Sequence, residues 1–88
     1  MINKKQKKDD KSGTALRMRR IGTIIDTQKS RLRYTQVELS RQTGLTDQTI
    51  INIRNGENTY VKNLLDICEI LELDMKLVDR TTGEEHLI

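Results

Sequence analysis

Residues 35–56 constrain the fold more than any other part of the chain, because they carry the signals of a helix followed by a tight turn. Thr35 and Glu38 stand at the spacing of a capping box, in which each side chain satisfies a backbone N–H group at a helix start. Gly44 then supplies a turn residue for which a positive φ costs little. The pattern predicts a helix over residues 36–43.

A second helix is predicted to follow the turn, over residues 47–55. Thr46 can cap its start, and Asn55-Gly56 can end it. Ile50 and Ile53 share one face of this helix. The other face is predicted to point outward, and it carries Asp47, Gln48, Thr49, Ile51 and Asn52. Amide side chains on an exposed helix face are suited to reading base edges in the major groove of DNA.

Apolar residues at helical spacing predict one further helix on each side of this pair, over residues 14–32 and 60–71. Proline, Trp and Phe are absent, so we expect an all-α body with an aliphatic core. The polar, aperiodic residues 1–13 are predicted to be a disordered basic arm, which leaves residues 14–72 as the helical domain.

The hydrophobic period changes after the last predicted helix. Leu73, Met75 and Leu77 fall on alternate positions, which is typical of a half-buried strand and predicts one over residues 73–80. A lone strand leaves backbone groups without partners, so we expect it to pair with the same strand of a second copy across a two-fold axis. A hairpin with the last three residues is the alternative, and residues 81–88 are otherwise expected to form a turn and tail.

Composition argues against catalysis. The only histidine, His86, falls in the predicted tail, and the sequence shows no nucleophile–histidine constellation or phosphate-binding glycine loop. The single Cys68 excludes an intrachain disulfide and a multi-cysteine zinc site, and we interpret it as a small core residue. No stretch resembles a signal peptide or a membrane span. We therefore expect a cytoplasmic protein that is not an enzyme and uses no cofactor or metal.

The net charge of +3 conceals an uneven distribution. Residues 1–33 hold eleven Lys and Arg against three Asp, whereas residues 34–88 hold five against ten acidic residues. Cations close to phosphates release counterions, so a basic region of this kind favours salt-dependent binding to nucleic acid. A solubilising role for residues 1–13 is the alternative.

The region from about residue 20 to residue 73 resembles the Xre family, the Cro/C1-type (lambda-repressor-like) helix-turn-helix domains of phage repressors and bacterial regulators. The shared motifs are Thr35-Gln36-x-Glu38-Leu39, Gly44-Leu45-Thr46, Thr49-Ile50 and Asn55-Gly56. Residues 58–78 also resemble the last helix and C-terminal strand of HipB-type antitoxins, in which a short strand joins two subunits. The resemblance implies a four-helix domain with a short C-terminal β-strand paired across a dimer.

The resemblance also implies roles for individual side chains. Base edges would be read by Asp47, Gln48 and Asn52, and the DNA backbone would be contacted by Gln36, Thr49 and Asn55. Asp47 and Asn55 each have a structural alternative, as a partner of the helix dipole and as a helix terminator. The predicted strand would contribute Leu73, Met75 and Leu77 to dimerisation.

Arg54 departs from the family pattern, in which a glutamate at this position pairs with an arginine on the first helix. The position that matches this arginine is Lys29, so the usual ion pair is replaced by two cations. Arg54 therefore needs another anion, for which Glu57, Asp26 and a DNA phosphate are the candidates. We assign Arg54 to the DNA backbone.

Together these patterns predict a homodimeric transcriptional repressor that binds an inverted-repeat operator in double-stranded DNA. The HipB-like segment indicates the antitoxin of a toxin–antitoxin operon, which represses its own operon and binds a kinase-like toxin. A stand-alone phage or mobile-element regulator is the alternative. A protein-interaction module on a helix-turn-helix scaffold is a further one.

Overall fold

The computed structural model describes residues 13–88, which form four helices followed by a two-stranded sheet. The elements are α1 (Gly13–Arg31), α2 (Gln36–Thr43), α3 (Asp47–Arg54), α4 (Val61–Ile70), β1 (Lys76–Val78) and β2 (Glu85–Leu87). The four predicted helices are confirmed to within one residue at each end. The predicted basic arm lies outside the described residues except for Gly13.

The core is aliphatic, as predicted, and every helix contributes to it. Six side chains of residues 13–88 are at most 2% exposed: Ile25 of α1, Leu39 of α2, Ile50 and Ile53 of α3, Ile67 of α4, and Leu71 just after α4. Full burial of one such side chain stabilises a fold by about 1.5–3 kcal/mol. The short helices α2 and α3 are therefore held by tertiary packing, because eight residues are too few for a stable isolated helix.

The predicted capping box begins α2. The N–H of Glu38 donates to Thr35 Oγ1 at 3.0 Å, and the N–H of Thr35 donates to Glu38 Oε1 at 2.8 Å. The chain leaves α2 through Gly44, whose φ of 78° lies in the left-handed region. These signals fix both ends of α2 and direct the chain into α3.

Helix α1 crosses the end of α3 at very short range, and Gly22 makes this possible. Gly22 is buried, and a Cβ at this position would overlap the carbonyl oxygen of Arg54 and lie 2.7 Å from that of Ile53. Both obstacles are backbone atoms. Only glycine therefore allows the two helices to approach this closely.

The C-terminal strand pairs within the chain. β1 is antiparallel to β2, with Leu77 opposite His86, so the chain forms the hairpin, the alternative to pairing with a second copy. The prediction of a turn and tail over residues 81–88 was wrong in part, because residues 85–87 form β2. The turn is closed locally by the carboxylate of Asp79, which accepts the N–H of Thr81 at 2.8 Å.

The predicted strand is also shorter than expected. Leu73 does not join it but packs against the core after α4, and the strand begins only at Lys76. The three residues of β1 and the three of β2 are all exposed. Within residues 13–88, no helix is both long enough and apolar enough to cross a membrane.

Candidate nucleic-acid interface

Helix α3 presents a polar face because Ile50 and Ile53 occupy its opposite, buried face. Its start is fixed by Thr46, whose Oγ1 accepts the N–H of Thr49 at 3.1 Å. Its end is fixed by Gly56, which has a φ of 81°. A helix anchored at both ends and along one side holds its outward side chains at defined positions.

Gln48 and Asn52 lie one turn apart on the outward face of α3 and are joined to each other. Gln48 Nε2 donates a hydrogen bond to Asn52 Oδ1 at 2.8 Å. This bond leaves one N–H and the oxygen of Gln48, and both N–H groups of Asn52, for a ligand. A glutamine with a free N–H and a free oxygen can still form a bidentate pair with adenine. Two of the three predicted base readers therefore form one coupled unit.

Asp47 and Ile51 complete the outward face. Asp47 is exposed at the first position of α3, where a carboxylate is favoured by the helix dipole. Its backbone oxygen accepts a hydrogen bond from Gln36 Nε2 at 3.2 Å, which ties the start of α3 to the start of α2. Ile51 is 38% exposed, so it covers part of the domain and still reaches the surface.

The predicted backbone-contacting residues flank this face. Thr49 has a hydroxyl that accepts from Thr46 Oγ1 at 2.9 Å and keeps its own hydrogen for another acceptor. Asn55 is exposed at the end of α3. Gln36 begins α2, where the first N–H groups of a helix lack intrahelical acceptors. All three positions therefore offer donors of the kind that phosphate oxygens accept.

Arg54 finds its anion inside the domain. Its Nη2 lies 2.8 Å from Asp26 Oδ1 on α1, which is one of the three partners considered from the sequence. Its Nη1 also donates to Gln36 Oε1 at 3.3 Å. Arg54 thus contacts α1 and α2 from the end of α3.

Several cations are exposed around the helical body. They are Arg17, Arg20, Arg31, Arg33 and Arg41.

The carboxylate of Glu38 on α2 is held in its charged form, because hydrogen bonds from the backbone and then from the side chain of Thr35 lower its pKa. It remains an acceptor for the helix start rather than a proton donor at neutral pH.

The three predicted dimerisation residues lie in different surroundings. Leu73 and Met75 are half-buried beside a groove of about 180 Å³ that α1, α4 and the segment before β1 enclose. Leu77 is 63% exposed on the hairpin. Cys68 also lines this groove and is half-buried, and its burial raises the pKa of the thiol.

Sequence reasoning missed two features of this region. It assigned Gln36 to a phosphate but not to the bond with the backbone of Asp47, and it gave Gly22 no role. The signal for Gly22 was present, because a glycine inside a helix costs about 1 kcal/mol relative to alanine and needs a reason. The bond of Gln36 had no signal in residue spacing, since its partner lies eleven residues away on another helix.

Comparison with known proteins agrees with this geometry. No curated protein sequence matches the chain. Residues 28–76, more than half of the chain, match the family of the Cro/C1-type HTH DNA-binding domain. This match covers α2, α3 and α4 in full, together with the last four residues of α1. The chain belongs to the Cro/C1-type helix-turn-helix DNA-binding family.

Proposed function

We propose that this protein is a homodimeric transcriptional repressor that reads an inverted-repeat operator through α3. The observation that carries the proposal is the coupled amide pair of Gln48 and Asn52 on the outward face of that helix. Within residues 13–88 neither side chain makes another hydrogen bond, and the free donors and acceptor of the pair match the hydrogen-bonding pattern of base edges. Family membership supports DNA binding as the general activity.

Gln48 is the main base reader in this proposal. It forms a bidentate pair with adenine, while its second N–H stays bonded to Asn52. Asn52 then acts as a donor toward a neighbouring guanine or thymine, because its oxygen is already occupied by Gln48. Asp47 accepts from the amino group of a cytosine. Each good bidentate contact discriminates against a wrong base by about 1–3 kcal/mol.

Phosphate contacts set the register of α3 in the groove. Thr49 and Asn55 donate from the two ends of the helix, and Gln36 donates through its second N–H and the adjoining start of α2. Such contacts carry no base information but orient the reading helix. Where Lys or Arg side chains also lie close to the phosphates, they release counterions, and the affinity then depends on the salt concentration.

The hairpin supports a dimer. A two-stranded hairpin is marginally stable alone, and this one exposes Leu77, Val78 and Leu87 by 55–63%. The backbone groups of Met75 and Asp79 face β2, because Ile88 N–H donates to Met75 and Asp79 N–H donates to Glu84. The groups of residues 76 and 78 therefore face outward, along an edge that pairs with no other strand of the described residues.

A second copy can pair its own β1 with this edge across a two-fold axis. Such pairing would bring Leu77 of each subunit together and extend the contact toward Met75 and Leu73. Two α3 helices related by a two-fold axis can enter successive major grooves about 34 Å apart, as an inverted-repeat operator requires.

Within this function we favour the antitoxin setting, in which the dimer represses its own operon and also binds a kinase-like toxin. The support is the HipB-like sequence of residues 58–78 together with a hairpin that exposes apolar side chains. A gene for such a toxin beside the gene for this protein, and co-purification of the two products, would be expected. Their absence would favour the stand-alone regulator.

Selection of bound fragments from a pool of random duplex DNA tests the DNA-reading proposal. We expect an enriched sequence with two-fold symmetry and an affinity that falls as salt is added. Gln48→Ala and Asn52→Ala should each lower the preference for the selected duplex over a scrambled one by about tenfold, within the range for a lost base contact. Gln42→Ala is the matched control, because Gln42 is an exposed glutamine on α2. A preference that survives both substitutions on α3 would refute the assignment.

The dimer has a separate test. Leu77→Asp should release monomers, measured as sedimentation mass, because a buried unpaired charge at a strand contact is costly. Val61→Asp is the control, since Val61 is 64% exposed, against 63% for Leu77, but lies at the start of α4. An unchanged mass for Leu77→Asp would rule out the strand-mediated interface.

A further inference from the structure

Arg54 is the centre of a chain of polar contacts that joins three helices. From the last position of α3 it reaches Asp26 on α1 at 2.8 Å and Gln36 on α2 at 3.3 Å. The amide of Gln36 continues the chain to the backbone oxygen of Asp47 at 3.2 Å. The two ends of α3, Asp47 and Arg54, are thus linked through one glutamine of α2.

The surroundings of Arg54 favour this internal use of its guanidinium. The side chain is 32% exposed, and its Nε is buried without a hydrogen-bond partner among residues 13–88, so one side of the group is closed to solvent. Its charge is matched by the carboxylate of Asp26 at ion-pair distance. A cation that is already paired adds little to the field that attracts phosphates.

The approach of α1 explains why the contact is made with Asp26. Gly22 brings α1 against the backbone of Arg54, and Asp26 lies one turn further along the same face of α1. Two contacts therefore position the end of α3: the backbone of Arg54 lies against Gly22, and the guanidinium of Arg54 forms a directional ion pair with Asp26. Partly exposed ion pairs contribute little to stability, so the main effect of this one is on geometry.

We propose that Arg54 is a positioning residue, which fixes α3 through Asp26 and Gln36 so that Gln48 and Asn52 meet base edges, and that it does not contact a phosphate. This reassigns the DNA-backbone role that we gave Arg54 from the sequence, and it rests on the proposed function. Base recognition depends on side chains held to within about 0.5 Å. Loss of the link should therefore damage discrimination between sequences more than it damages general DNA binding.

The test compares Arg54→Gln, Asp26→Asn and the double variant on two duplexes, the one selected by the wild-type protein and a scrambled one, over a series of KCl concentrations. Affinities are measured at a temperature at which circular dichroism shows every variant folded. We expect each single substitution to lower the ratio of the two affinities by about tenfold, and the double variant to lose no more than either single one. The slope of log affinity against log salt should equal that of the wild type.

A phosphate contact predicts different results. Arg54→Gln would then flatten the salt slope by about one unit, and Asp26→Asn would free the arginine and tighten binding to both duplexes with an unchanged ratio. Either result, or additive losses in the double variant, would overturn the proposal. Arg80→Gln is the control, because it removes an exposed cation in the hairpin turn without touching α3.

Arg54→Lys separates the charge from the geometry. It keeps a cation, but an ammonium cannot reproduce the planar fork that reaches Asp26 and Gln36 together. We expect it to lose discrimination as Arg54→Gln does, and a wild-type ratio would overturn the bridging role. A wild-type protein that enriches no duplex sequence would instead overturn the proposed function itself, which distinguishes the two failures.

Discussion

Replacing Gly22 with alanine should destabilise the protein, although alanine is the better helix former. The added Cβ would overlap the carbonyl oxygen of Arg54 and lie 2.7 Å from that of Ile53. Neither obstacle is a side chain that can rotate away. To bring the second distance to the 3.4 Å of ordinary contact, α1 and α3 must separate by about 0.7 Å.

The size of the effect follows from two opposing contributions. Overpacking of this kind costs about 1–3 kcal/mol, and contact with backbone atoms places Gly22→Ala in the upper half of that range. The higher helix propensity of alanine offsets about 1 kcal/mol of it. We expect a net loss of about 1.5 kcal/mol in the free energy of unfolding, and a Tm lower by about 10 °C for a domain of this size.

Urea unfolding followed by circular dichroism measures this loss as a lower midpoint with an unchanged m value. The control is Gly13→Ala in the same helix, where an added Cβ meets no atom of the described residues within 4 Å. That variant should be neutral or slightly more stable. If Gly22→Ala were as stable as Gly13→Ala, the close approach of α1 to α3 would be wrong.

Three further substitutions test the local signals of the helix-turn-helix. Thr46→Ala removes the cap of α3 and should cost about 1 kcal/mol in urea unfolding; a loss near zero would mean that the cap is dispensable. Gly44→Ala should cost about 1 kcal/mol from its φ of 78° alone, since an added Cβ meets no atom of residues 13–88 within 4 Å; a much larger loss would contradict this account. Hydrogen bonds from Thr35 lower the pKa of Glu38, so its stabilising effect is full above the ordinary glutamate pKa and is lost as the pH falls through the lowered value. The deficit of Glu38→Gln relative to wild type should therefore shrink between about pH 7 and about pH 3, and a constant deficit would contradict this account.

The helix boundaries were predictable because each is marked by chemistry close in sequence. The capping box of Thr35 and Glu38, the turn at Gly44 and the termination at Gly56 all involve residues within four positions of the atoms that they satisfy. Local hydrogen bonds of this kind are specified by residue type and spacing alone. They do not depend on how the helices pack.

The hairpin was harder to predict because its second strand is too short to show a period. Three residues, 85–87, cannot establish an alternation, and the turn before them is closed by Asp79, which lies within the segment assigned to the first strand. The partner of Arg54 was equally open. The sequence left three candidate anions, Asp26, Glu57 and a DNA phosphate, and only the packing of α1 against α3 brings Asp26 to 2.8 Å.

The anchoring of α3 explains how an eight-residue helix can keep the side chains at positions 48 and 52 outside the buried core. Its start is held by Thr46, its buried side by Ile50 and Ile53, and its end by the contacts of Arg54. None of these groups lies on the outward face, where surface substitutions usually change stability by less than about 0.5 kcal/mol. The side chains at positions 48 and 52 can therefore change without loss of the fold, so the base preference that we propose for α3 can diverge while the domain itself stays intact.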